Sequence, residues 1–119
     1  MPTILVVDDS ATEREIISGC LKEKGLTIVL AQSGEEALEK INTQKPDLIV
    51  LDVVLPGRSG FEVCRELKAE EATGGIPIII CSTKSTEMDK FWGLKQGADA
   101  YITKPIDQEE LIKTVSKLL

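Results

Sequence analysis

Leu48-Ile49-Val50-Leu51-Asp52 is the stretch on which the fold turns. Its apolar residues are consecutive rather than alternating, so a strand formed here has no face to offer water. Strands of that kind belong to parallel sheets covered by helices on both sides. Ile4-Leu5-Val6-Val7, Ile28-Val29-Leu30 and Ile78-Ile79-Ile80-Cys81 repeat the pattern, and Tyr101-Ile102 is a shorter fifth candidate. Between these runs the apolar residues fall at helical spacing. Ile16, Ile17, Cys20 and Leu21 make one stripe, and Ala37, Leu38 and Ile41 the next. Val63, Cys64 and Leu67 follow, then Met88, Phe91 and Trp92, then Leu111, Ile112, Val115 and Leu118. Each stripe is expected to pack on the sheet, with Trp92 lying partly at a partner surface as the alternative for the fourth.

The helix starts carry their own chemistry. Ser10, Ser33, Ser59 and Asp107 each precede a glutamate three positions later, the pattern of an N-cap with a reciprocal partner, and Thr86 with Asp89 is a weaker version. Gly25 and Gly97 fall where left-handed caps end helices one and four. Lys68 to Glu71 reads as a solvated helix end. A strand–helix unit repeated five times, with right-handed crossovers, predicts an α/β three-layer sandwich around a five-stranded parallel sheet, residues 1–119 forming one domain.

Composition narrows the function. The chain has 119 residues, 20 acidic and 14 basic, for a formal charge of −6, which disfavours nucleic acid and anionic membrane as partners. It contains no histidine, so Ser-His-Asp and Cys-His triads and histidine-ligated zinc are excluded. Cys20, Cys64 and Cys81 share no metal-binding spacing and read as reduced, buried thiols of a cytoplasmic protein. No apolar run has the length of a membrane span, and a strand pattern directly after Met1-Pro2 leaves no room for a signal peptide.

Sites in such sheets lie at the carboxyl ends of the strands. There the sequence places Asp8, Asp9 and Ser10 after strand one, Asp52 after strand three, Ser82 and Thr83 after strand four, and Lys104-Pro105 after strand five. Aspartate and serine are also ordinary loop and cap residues. That explanation suffices for Ser10 but not for the whole group. Close carboxylates repel by roughly 4 kcal/mol per pair at an effective dielectric of about 20. A hard dication such as Mg²⁺ is the natural compensation. A carboxylate beside Mg²⁺, a hydroxyl and a lysine suits phosphoryl transfer, in which the carboxylate attacks phosphorus and its neighbours hold the equatorial oxygens.

Val7-Asp8-Asp9-Ser10, Asp52-Val53-Val54-Leu55-Pro56-Gly57, Ser82-Thr83 and Lys104-Pro105, in this order and spacing, resemble the receiver domain of bacterial two-component response regulators. The resemblance covers the whole chain and implies the receiver version of the flavodoxin-like topology. It implies that Asp52 accepts a phosphoryl group from a histidine kinase in a phosphorelay. It further implies that Asp8, Asp9, Asp52 and the Val54 carbonyl hold Mg²⁺, that Lys104 binds the phosphoryl group, and that Ser82 and Tyr101 are the switch residues. The Lys104-Pro105 bond is cis in that family. Its chemistry is self-phosphorylation and self-dephosphorylation, so no enzyme acting on an outside substrate is expected.

The segment from Ser82 to Pro105 is similar to stand-alone receivers of the chemotaxis-like systems that control type IV pili and twitching or phototactic motility. That likeness implies a monomer that meets a chemotaxis-like kinase and a downstream motor or signalling protein, without a further output domain. A role as a phosphate sink in a multi-regulator pathway is the alternative. Two departures stand out. Thr83 replaces the usual Ala or Gly beside the site, and Val54 with Lys84 occupies the variable positions that tune phosphoryl lifetime. A rival of another class, a flavodoxin-like FMN carrier, would need a Ser/Thr/Gly-rich phosphate loop after strand one, where Asp8-Asp9 would repel the phosphate.

Overall fold

Strand and helix alternate five times in the computed structural model, which describes residues 1–119. The elements are β1 (Thr3–Val7), α1 (Ala11–Lys22), β2 (Thr27–Ala31), α2 (Gly34–Thr43) and β3 (Leu48–Leu51). They continue with α3 (Gly60–Ala69), β4 (Ile78–Ser82), α4 (Glu87–Lys95), β5 (Ala100–Thr103) and α5 (Gln108–Leu118). All strands are parallel, in the order β2-β1-β3-β4-β5. Ile4, Leu5, Val6 and Val7 face Leu48, Ile49, Val50 and Leu51 in register, so β1 and β3 end level with one another. The strand order reverses direction between these two, which opens a crevice at their carboxyl ends.

The core lies in two layers. Leu5, Val7, Ile49, Leu51, Ile78 and Ile80 meet α2 and α3 through Ala37, Ile41, Val63, Cys64 and Leu67. Ile4, Val6, Leu48, Val50, Ile79 and Cys81 meet α1 and α5 through Ile17, Cys20, Leu21, Leu111 and Val115. The period of two in a strand thus feeds both layers, as the unbroken apolar runs require. β2 departs from that expectation. It is an edge strand, and Leu30 is exposed.

Caps form where the sequence places them, though not all are reciprocal. Ser59 with Glu62 and Thr86 with Asp89 close both halves of the box, whereas Ser10 and Ser33 accept from the glutamate N–H only. Gly25 and Gly97 adopt φ of 79° and 104° after α1 and α4. Lys68 corrects the expectation of a solvated helix end. Its ammonium donates to the Ile76 carbonyl and to Asp99 at 2.9 Å each, tying α3 to the approaches of β4 and β5.

The Met88, Phe91 and Trp92 stripe is the larger correction. These side chains are 72%, 60% and 47% exposed, and Gly93 is the one buried residue of α4. The helix meets the sheet through that glycine. A Cβ there would stand 2.8 Å from Cδ2 and Cε2 of Tyr101 and 3.2 Å from Ile80 Cδ1. Ring and glycine fill the space a stripe would have filled, and the large apolar residues turn outward. Ile16 of α1 is likewise exposed rather than packed.

Candidate functional site

Backbone pairing runs past the strand ends and fixes the residues that follow. Asp8 N–H donates to Ala31 O at 3.0 Å, Asp52 N–H to Val7 O at 3.0 Å, and Lys104 N–H to Ser82 O at 2.9 Å. Asp8 and Asp52 are therefore held as rigidly as the strands they extend. Carboxylate oxygens of Asp8, Asp9 and Asp52 all lie within 4.8 Å of one another. Asp8 and Asp52 are buried, while Asp9 stands exposed at the mouth.

Lys104 is the counter-charge. Its Nζ donates to Asp8 Oδ2 at 2.6 Å and to Asp52 Oδ2 at 3.1 Å, and its side chain is 7% exposed. The other oxygens are tied to backbone: Asp8 Oδ1 accepts from Ser10 N–H at 2.9 Å, and Asp52 Oδ1 from Val53 N–H at 2.7 Å. Burial alone lowers the pKa of the Lys104 ammonium, but the hydrogen bonds and charges of Asp8 and Asp52 outweigh it and hold the pKa above the ordinary lysine value. The Lys104-Pro105 peptide is cis.

Ser82 is fully buried at the end of β4, and its Oγ accepts from Lys84 N–H at 3.2 Å. The Lys84 carbonyl accepts from Tyr101 OH at 2.6 Å. Burial, with help from the charge of Asp89, pushes the Tyr101 phenol up to about 12. Val54 lies two residues past Asp52 with its side chain exposed, and Thr83 and Lys84 are exposed on the facing loop. Asp8, Asp9, Asp52, Ser82 and Lys104 thus share one end of the sheet, while Tyr101 sits further along β5, connected through Lys84. Cys81 is buried beneath, its thiol pushed up to about 12 by desolvation, and Cys64 to about 11, which leaves both unreactive at neutral pH.

Sequence reasoning missed three residues here. Arg14 Nη1 donates to the Asp8 carbonyl at 2.7 Å. Gly60 opens α3 directly beneath the site, where a Cβ would stand 1.9 Å from Asp52 O. Glycine as the first residue after the Ser59 cap, where helix propensity argues against it, was the available signal. Glu13, read only as a capping partner of Ser10, places its Oε1 3.9 Å from Lys104 Nζ.

The donor set is oxygen only, three carboxylates opening to solvent on one side, which fits Mg²⁺ and not a softer metal. The family model of the response regulator receiver domain matches residues 4–116. The chain belongs to that family. Across 119 residues it is 41% identical to Protein PilH of Pseudomonas aeruginosa, covering all of this chain and 98% of that one. It is 45% identical to the phosphate regulon transcriptional regulatory protein PhoB of the same organism, but spans 51% of PhoB. Among solved structures, the chemotaxis response regulator CheY4 of Vibrio cholerae superposes with a TM-score of 0.92 at 32% identity, over all of this chain and 99% of that one. The receiver domain of a signal transduction histidine kinase from Syntrophus aciditrophicus gives 0.93 at 35% identity, over all of this chain and 90% of that one. Receiver domains are phosphoacceptor signalling modules that meet histidine kinases and downstream effectors and bind Mg²⁺ at an acidic pocket of this kind. The flavodoxin-like FMN carrier is thereby set aside. No helix is long and apolar enough to cross a membrane.

Proposed function

We propose that this receiver is phosphorylated on Asp52 by a histidine kinase of a chemotaxis-like system and signals by protein contact in the cytoplasm. The observation that carries the reading is the Lys104 ammonium spanning Asp8 and Asp52 at 2.6 and 3.1 Å on a rigid sheet edge. Asp8 and Asp52 both follow central strands directly, and Asp52, 7% exposed against 1% for Asp8, is the more accessible of the two. In the reaction an Asp52 oxygen bonds to phosphorus as the bond from phosphorus to the kinase's imidazole nitrogen breaks. Lys104 then exchanges a carboxylate partner for a phosphoryl oxygen, and the Ser82 hydroxyl donates to another. Asp8, Asp9, Asp52 and the Val54 carbonyl would hold Mg²⁺, which supplies positive charge against the carboxylates and the incoming phosphoryl group.

The output surface in this reading is α4 with β5 and α5. Met88, Phe91, Trp92 and Leu94 are all exposed on α4, large apolar residues that a protein partner can cover. Similarity to PilH over nearly the full length of both chains supports a stand-alone regulator, acting as a monomer on a downstream motor or signalling protein in pilus-based motility or taxis. The test is direct. With Mg²⁺ and a phosphorylated kinase, the protein should acquire a hydroxylamine-labile acyl phosphate, and Asp52→Asn should abolish it. Persistent labelling of Asp52→Asn would overturn the assignment.

A further inference from the structure

Glu13 sits in the first turn of α1, where Ser10 Oγ accepts its N–H at 3.3 Å. The return half of that cap is closed to it, because Ser10 N–H donates to Asp8 Oδ1 instead. Ser59 with Glu62 and Thr86 with Asp89 close both halves and Ser33 with Glu36 does not; at α1 the group that takes the return half is Asp8. Released from Ser10, the Glu13 carboxylate stands over Lys104 with Oε1 3.9 Å from Nζ. That is an ion pair without a hydrogen bond. Its side chain is 29% exposed against 2% for Asp8, so its charge is partly open to solvent beside Lys104 while that of Asp8 is enclosed.

We propose that Glu13 is a specificity-determining residue that disfavours free dianionic phosphoryl donors at Asp52 while steadying Lys104 from the α1 side. The inference rests on Asp52 being the phosphoacceptor. With acetyl phosphate, an Asp52 oxygen bonds to phosphorus as the bond from phosphorus to the acetate oxygen breaks, and acetate leaves with the electron pair. The transferred oxygens need the Lys104 ammonium, and a free donor that reaches it comes close to the Glu13 charge, 3.9 Å from Nζ. Of the three carboxylates that pair with Lys104, Glu13 is the one that can be neutralised without touching the nucleophile or the acidic pocket. Oxygens held by Lys104 would lie within a few ångströms of Glu13, and a partly screened unit charge at that range alters a rate by roughly threefold to tenfold.

The experiment uses the full chain in Mg²⁺ and compares acetyl phosphate with phosphoramidate, which carries less net negative charge at neutral pH and loses ammonia as its phosphorus–nitrogen bond breaks. Glu13→Gln should raise the acetyl phosphate rate roughly threefold to tenfold and the phosphoramidate rate by a smaller factor. The difference should shrink in about 1 M salt, where the Debye length is about 3 Å. Glu13→Asp, which keeps the charge on a shorter stem, should fall between. Independently of turnover, the ¹⁵N-resolved ammonium signal of Lys104 should move in Glu13→Gln and stay in place in Glu15→Gln, a surface change on the same helix. No acceleration, equal acceleration with both donors, or an unmoved Lys104 signal would overturn the inference. Failure of the unaltered protein to form an acyl phosphate, or labelling that persists in Asp52→Asn, would instead sink the phosphoacceptor reading itself.

Discussion

Replacing Lys104 by methionine tests whether the site is held together by the cation that bridges its two buried carboxylates. The ammonium lies 2.6 Å from Asp8 and 3.1 Å from Asp52, with side-chain exposures of 7%, 2% and 9% for the three groups. Methionine keeps most of the stem volume and removes the charge. Two carboxylates then face each other within 4.8 Å, a repulsion of about 3 kcal/mol at an effective dielectric of about 20. Removing one partner of a buried pair typically costs about 3–5 kcal/mol. The lower end applies, because Ser10 and Val53 N–H groups still satisfy one oxygen of each aspartate and water enters past Asp9. Urea unfolding in EDTA should therefore show Lys104→Met less stable by about 3 kcal/mol, with an unchanged m-value. Mg²⁺ that binds only the native state would add about 2.7 kcal/mol at about 100 times its dissociation constant. It should stabilise the variant more than the unaltered protein, since no ammonium competes for the carboxylates. Asp52→Asn should recover part of the loss when combined with Lys104→Met, a coupling that a double-mutant cycle measures. A loss below about 1 kcal/mol in EDTA, or an equal Mg²⁺ increment in both proteins, would refute the reasoning.

Two further tests address the α4 side. The chain has one tyrosine, so phenolate absorbance reports Tyr101 alone, and its midpoint should lie near 12 rather than 10. Because the fold keeps a proton that the unfolded chain releases, stability should be unaffected below about pH 10 and fall between there and 12; a midpoint of 10 in folded protein would contradict the burial. Gly93→Ala gains about 1 kcal/mol of helix propensity but drives a Cβ into the Tyr101 ring, an overpacking cost of about 1–3 kcal/mol. Thermal unfolding should show a net loss and the tyrosine midpoint should drop as its hydroxyl leaves Lys84. A stabilised variant with an unmoved midpoint would show that the contact is soft.

What could be read from the sequence divides along physical lines. β1, β3 and β4 are central strands, and their unbroken apolar runs announce burial on both faces. Ile28-Val29-Leu30 makes the same announcement, yet β2 lies at the sheet edge and Leu30 is exposed, because a run of residues carries no information on how many neighbours its strand will have. The ends of β1 and β3 were legible because Asp8 and Asp52 each interrupt an apolar run. Helix four was not. Its spacing of Met88, Phe91 and Trp92 describes one face correctly, but which face meets the sheet is settled by Gly93 against Tyr101, a contact between residues that no local period relates. Glu13 escaped for a similar reason: its cap partner is engaged by Asp8, and that competition exists only after the β1–α1 loop has formed.

If Asp52 is the phosphoacceptor proposed above, the same contacts argue that a phosphoryl group on it would act on α4 chiefly through Ser82. Lys84 is hydrogen-bonded at both ends of its backbone, to Ser82 Oγ through its N–H and to Tyr101 OH through its carbonyl, and the Tyr101 ring lies against Gly93. These neutral bonds are worth about 1 kcal/mol each. Lys104 already has two anionic partners, so exchanging a carboxylate oxygen for a phosphoryl oxygen yields only the difference between similar ion pairs. The Ser82 hydroxyl, by contrast, donates to no protein acceptor and would gain a charge-assisted bond of about 1.5–3 kcal/mol. That gain is comparable to the two bonds that hold Lys84 and Tyr101 in place. On the proposed reading, the loop between Ser82 and α4 is therefore the part of the molecule whose balance a phosphoryl group would tip, with Lys104 anchoring the group rather than driving the change.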